Sequence, residues 1–179
     1  MDILGPATFS DILIAWALHE FNGRHQRWLP PDVRGLPPDD ARREALSVLV
    51  QGRFGVILPM LAANIRECLS VRFYPADIPQ LFAMGAVPLP TYSQNKLGEP
   101  AGPDGSAEHV RGMAASEEPV RGPFVMMSRV VEGPYTIFDG THRAAAWIAH
   151  VNAGRAYPLE PAYLVLTEWP SPAHELPAG

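Results

Sequence analysis

One stretch of this chain is almost free of proline. Residues 124–157 hold only Pro134, while the other nineteen of the 20 prolines lie elsewhere in the 179 residues. Proline fixes φ and withholds a backbone N–H, so helix interiors and central strands exclude it. The regular core must therefore include 124–157. Phe124–Val131 reads as a strand, Glu132-Gly133-Pro134 as a turn and Tyr135–Phe138 as a second strand, which predicts a hairpin. Asp139-Gly140-Thr141-His142-Arg143 follows with no spacer, and Ala144–Val151 is a helix closed by Gly154. Ala162–Leu166 predicts a last strand.

The proline-rich remainder is organised more loosely. Residues 11–22 predict a helix that Ser10 can cap and Gly23 stops. Residues 30–38 form a stiff connector, and a second helix runs from Asp39 or Asp40 to about Gln51. A third runs from Val56 or Pro59 to Cys68. Residues 70–74 alternate as a strand, and Asp77–Met84 suits a short helix. Residues 88–122 are rich in Pro, Gly, Ser, Asn and Glu and predict an irregular insert, interrupted at most by a helix at Ser106–Ala115. The tail after Trp169 is expected to be irregular.

Composition excludes several classes. Hydrophobic residues make up 47% and the net charge is only −5, which a fully disordered chain would not combine. That mildly acidic balance weighs against broad electrostatic binding of nucleic acid. Cys68 is the one cysteine, so there is no intramolecular disulfide or cysteine-rich metal site. The first residues carry Asp2 and Asp11 and do not read as a secretion signal. No run reaches about 18 apolar residues, so no membrane span is expected. A soluble, cytoplasmic protein follows as the expectation.

The chemistry concentrates at Asp139–Arg143. A strand ends there, a glycine permits a tight turn, and a helix begins with Thr141 as a plausible N-cap. Helix N-termini leave N–H groups unpaired and carry partial positive charge, which suits an anion. His142 and Arg143 add cationic groups where the helix itself disfavours them. Phosphate is the favoured ligand, because arginine offers it a planar fork. The bland alternative pairs Asp139 with Arg143 and simply packs His142. His19, His25 and His150 show no ligand spacing, and Trp16, Trp28 and Trp147 read as core.

The block from Gly122-Pro123-Phe124 through Tyr135–Trp147 to Gly154 and Tyr163–Leu166 resembles the ParB/sulfiredoxin-like superfamily. The close likeness covers about residues 122–167. It implies an α+β fold, a small mixed sheet with helices over 69–168 carrying the insert at 88–122. An N-terminal helical extension over 1–68 and a tail at 169–179 would flank it. Sulfiredoxins place a catalytic cysteine where Thr141 stands, so sulfinic-acid reduction is disfavoured. Partition proteins carry a Gly-Glu-Arg-Arg turn that binds CTP, then a DNA-binding helix-turn-helix. Here only 36 residues follow Arg143, too few for such a domain.

The Asp-Gly-X-His-Arg form is similar to the free-serine kinases of that superfamily. The resemblance implies that Gly140, Thr141, His142 and Arg143 cradle the phosphates of ATP or ADP, with CTP as a further candidate. Asp139 and His142 would act in catalysis, and Asp139 would orient the loop or hold Mg²⁺ through water. A glutamate would serve as base for the attacking hydroxyl. Glu108 is the first candidate, with Glu117, Glu118 and Asp77 as rivals, and a solvated Glu108 as the bland alternative. The implied function is phosphoryl transfer to a hydroxyl of a small metabolite, a free amino acid among the candidates. The rivals are a non-enzymatic ParB-like nucleotide-binding regulator of DNA or a protein partner, and a diverged binder of another phosphorylated ligand. A homodimer is compatible with either.

Overall fold

A computed structural model describes residues 1–22 and 63–168. In chain order these form β1 (Asp2–Ala7), α1 (Phe9–Asn22), β2 (Ile65–Phe73), a 3₁₀ turn (Pro75–Gln80), β3 (Leu81–Ala83) and β4 (Val87–Pro88). There follow α2 (Leu89–Gly98), α3 (Ser106–Ala115), β5 (Phe124–Ser128), β6 (Tyr135–Asp139), α4 (Thr141–Asn152) and β7 (Leu159–Thr167). The predicted helix at 39–51, the 30–38 connector, His25, Trp28 and the tail lie outside the described residues, as does the predicted third helix up to residue 62; its described end, 63–68, is a turn leading into β2 and not helix.

Strand β5 explains the layering. Its side chains alternate, Phe124 and Met126 toward one apolar cluster, Val125 and Met127 toward another, so both faces are buried. A strand buried on both sides belongs in the middle of a sheet. The order is β1-β2-β7-β5-β6-β3-β4. β5 pairs antiparallel with β6 and parallel with β7, and β3 pairs parallel with β6. The molecule is thus a mixed α+β fold around a seven-stranded mixed sheet.

Helices α2, α3 and α4 pack together on one face. Ala144, Ala145 and Ala146 are fully buried there, and their small side chains let α4 lie close to its neighbours. The Ser93 hydroxyl of α2 donates to the Ala145 carbonyl at 2.7 Å. Trp147 is also fully buried and donates from its indole N–H to the Tyr157 carbonyl at 2.9 Å. The opposite face is covered by α1, through Ile12 against Cys68, Val125 and Val165 and through Trp16 edge-on to Phe138 at 5.8 Å.

Several expectations need correction. The first residues are not only helical: β1 pairs antiparallel with β2, with Ala7 opposite Cys68. The expected boundary at 68/69 therefore falls inside one strand of one sheet. Cys68 sits on β2, not on a helix, and burial with help from Glu67 and Asp11 pushes its thiol up to about 11, leaving it protonated and inert. Helix α1 is capped by Thr8, not Ser10. The Thr8 hydroxyl accepts from the Asp11 N–H at 3.1 Å, and the Asp11 carboxylate accepts from the Thr8 N–H at 2.8 Å.

Asp77–Met84 is a 3₁₀ turn followed by β3, not one helix. Residues 88–122 contain two helices. Pro88 and Pro90 start α2, a position where proline's missing N–H costs nothing. The expected Ser106–Ala115 helix is α3.

A buried polar chain ties the end of α3 to α4. The Val120 N–H donates to the Tyr157 hydroxyl at 2.8 Å, and that hydroxyl lies 2.6 Å from His150 Nδ1. His150 Nε2 lies 3.0 Å from the Met113 carbonyl. A carbonyl only accepts, so Nε2 carries the proton and Tyr157 donates to Nδ1. His150 is a satisfied core residue. His150→Phe would leave the Tyr157 hydroxyl proton without its acceptor, at ~1–3 kcal/mol, while the Met113 carbonyl keeps the Ser116 N–H at 3.2 Å. Thermal unfolding should show a loss of about 1–3 kcal/mol, and an unchanged melting temperature would remove this chain from the account of stability.

Candidate functional site

The local physics of Asp139–Arg143 follows from one glycine. Gly140 adopts φ +90° and is the N-cap of α4, in place of the expected Thr141. Thr141 is instead the first helical residue, and no side chain caps the helix. The first helical hydrogen bond runs from the Ala144 N–H to the Gly140 carbonyl at 2.8 Å. The N–H groups of Thr141, His142 and Arg143 therefore stand outside the helical ladder. An added Cβ at Gly140 would lie 2.8 Å from a Phe124 ring carbon and 3.1 Å from Arg143 Nη2. Only glycine fits this corner.

Arg143 Nη2 donates to Asp139 Oδ2 at 2.7 Å and to the Pro123 carbonyl at 2.6 Å. Its guanidinium lies over the Phe124 ring at 5.5 Å. Its Nε is buried and has no hydrogen-bond partner among the described residues. The expected Asp139–Arg143 pair thus exists, and it does not exhaust the arginine. His142 is half-buried, and the Tyr92 ring of α2 stacks beside it at 6.3 Å and 25°.

Gly140, Thr141, His142, Arg143 and Asp139 all line one open cavity of about 380 Å³. Tyr92, His109 and Met84 complete much of its wall. A second cavity of about 260 Å³ adjoins it and shares His109 and Arg143.

Of the candidate bases, Glu108 is exposed on α3 and lines neither cavity, although its neighbour His109 lines both. Glu117 lines neither. Asp77 is held by the Met1 ammonium at 2.7 Å and the Tyr74 N–H at 2.8 Å. Glu118 is the one that lines a cavity, the second. Sequence reasoning missed Tyr92, because α2 was hidden in a segment rich in loop residues. It also passed over His19, which α1 brings to the second cavity.

Burial pushes His142 below its ordinary value of 6.5, with Lys96, His109 and Arg143 adding to the shift and Asp104 opposing it. The folded protein therefore takes this proton less readily than the unfolded chain. The resulting stability is full above about pH 6.5 and declines as pH falls through the lower folded value.

Among the described residues, no helix is long and apolar enough to cross a membrane. Fold and site together define a mixed α+β protein with a polar cleft where a central strand turns into a helix. Comparison with protein-family models, curated proteins and solved structures gives no match.

Proposed function

We propose that this chain is a nucleotide-dependent phosphotransferase with a ParB/sulfiredoxin-like core, acting on a hydroxyl of a small metabolite. The observation that carries this is the convergence of Gly140–Arg143 on one cavity at an uncapped helix N-terminus. Unladdered N–H groups, the helix dipole, an imidazole and a guanidinium meet there, the set that binds transferable phosphates. The absent Cβ at Gly140 lets the backbone approach phosphate oxygens. ATP or ADP is the proposed donor.

Phosphoryl transfer breaks the bond between the terminal phosphorus and its bridging oxygen and joins that phosphorus to the acceptor oxygen. The hydroxyl proton passes to a carboxylate, for which Glu118 is the proposed base. His142 and Arg143 hold the phosphates as charge redistributes, and Asp139 fixes Arg143. Among the described residues no group of three His, Cys, Asp or Glu forms a metal cage. Magnesium typically rests on one or two carboxylates plus substrate phosphates, and Asp139 on the cavity wall suits that limited role. It would neutralise phosphate charge when bound.

The test is nucleoside-diphosphate release in a panel of hydroxylated metabolites with ATP and Mg²⁺. Glu118→Gln should leave nucleotide binding intact and lower turnover by about 10²–10⁴-fold, the usual weight of a general base. Glu108→Gln should leave it unchanged. The reverse pattern would return the base to Glu108, and binding without transfer to any acceptor would favour a regulatory module.

His142 adds a pH signature. Phosphate favours the imidazolium, so nucleotide binding should draw in a proton at about pH 6 and none at about pH 8. Calorimetry in buffers of different ionisation enthalpy measures this uptake, and it should vanish in His142→Asn. Equal uptake in that variant would take His142 out of the phosphate site.

A further inference from the structure

The second cavity is built differently from the first. Among the described residues its wall carries Arg121, Arg143, His19 and His109 against one carboxylate, Glu118. With histidine counted neutral, as in the chain's net charge of −5, this is two arginines to one carboxylate, and Arg143 is already paired with Asp139. At about 260 Å³ it is smaller than the first cavity, at about 380 Å³, and has room for a small metabolite. It meets the first cavity at His109 and Arg143, the residues the two share.

Its rim is also held in place. Arg155 donates to the Ser116 carbonyl at 2.5 Å and to the Ala114 carbonyl at 3.0 Å. The Val120 N–H is fixed on the Tyr157 hydroxyl. The 113–120 segment is thus anchored from beyond α4, and Glu118 and Arg121 project from a preset edge. The far wall comes from α1, which Ile12 and Trp16 clamp onto the sheet.

We infer that the second cavity is the acceptor subsite and that it recognises an anionic group, carboxylate or phosphate, through Arg121 and His19. Calling it the acceptor subsite rests on the first cavity being the nucleotide site. A ligand anchored there by its acid end would present its hydroxyl toward Arg143, a side chain that lines both cavities. Glu118 lines the same cavity and is the carboxylate proposed to take the hydroxyl proton. The preferred acceptor is therefore a small hydroxy acid or a phosphorylated alcohol, and a neutral polyol is refused.

Histidine imidazole resonances of the full chain test this, with His19 assigned through His19→Gln. Sodium glycerate, inorganic phosphate and glycerol are the probes, and ATP with Mg²⁺ is titrated separately. Glycerate or phosphate should shift His19 saturably, and glycerol should not. The acid that saturates at lower concentration identifies carboxylate or phosphate as the recognised group. Arg121 is exposed, so Arg121→Gln should fold normally. It should weaken the His19 response at least about tenfold, the scale of one charged hydrogen bond, and leave the ATP shift of His142 intact. No His19 shift with either anion, an equal shift with glycerol, or unchanged affinity in Arg121→Gln would each overturn the inference. A His19 response to anions with no His142 response to ATP would sink the nucleotide reading alone.

Discussion

Arg143→Ala should abolish nucleotide binding. The side chain lines both cavities, and a guanidinium on phosphate is worth ~1.5–3 kcal/mol per charged hydrogen bond. Losing two such bonds weakens binding by at least about a hundredfold. The same arginine also neutralises Asp139, and both side chains are largely buried, at 12% and 18% exposure. Stranding the carboxylate should cost stability too, so loss of binding in the alanine variant needs a companion. Arg143→Lys supplies it. An ammonium can still pair with Asp139 but cannot form the planar fork. It should melt near the wild-type temperature and still bind nucleotide at least about tenfold more weakly. A lysine variant that folds and binds normally would reduce Arg143 to a structural partner of Asp139.

Gly140→Ala should damage fold and site together. The left-handed φ of +90° costs an L-residue ~1–2 kcal/mol. The new methyl would also meet the Phe124 ring at 2.8 Å. Phe124 is fully buried and cannot retreat, so overpacking adds ~1–3 kcal/mol. Together these predict a loss of about 2–5 kcal/mol and a melting temperature lower by roughly 4–20 °C. Nucleotide affinity should fall with it, because the displaced ring carries the Arg143 guanidinium. Gly112→Ala is the control, as a Cβ there meets nothing within 4 Å. Equal stability of the two variants would contradict the close corner at Gly140.

The core block was legible because its signals are local. Strand, turn, strand, glycine and alanine-rich helix follow one another without a gap, and each element needs only its neighbours to be recognised. The phosphate-binding corner was legible for the same reason, though the cap was assigned to Thr141 when the φ requirement had already selected Gly140. Strand β1 was hidden because Asp2–Ala7 is short, is broken by Gly5-Pro6, and pairs with residues more than sixty positions away. Helix α2 was hidden because its two leading prolines and polar face carry loop composition, although proline there starts a helix. Glu118 and His19 could not be placed beside Arg143 from sequence. Their approach depends on α1 crossing the back of the sheet and on Arg155 and Tyr157 anchoring the segment before β5.

The proline-rich additions thus do more than surround the core. α2 supplies Tyr92 and α3 supplies His109 to the first cavity, and α1 supplies His19 to the second. The central claim is that the Gly140–Arg143 corner binds nucleotide phosphates. Titration calorimetry of the full chain with ATP, ADP and CTP in Mg²⁺ tests it most directly. Saturable binding of one nucleotide per chain to at least one of the three, lost in Arg143→Ala and weakened in Arg143→Lys, is the predicted result. No heat with any of them up to about millimolar concentration would contradict it.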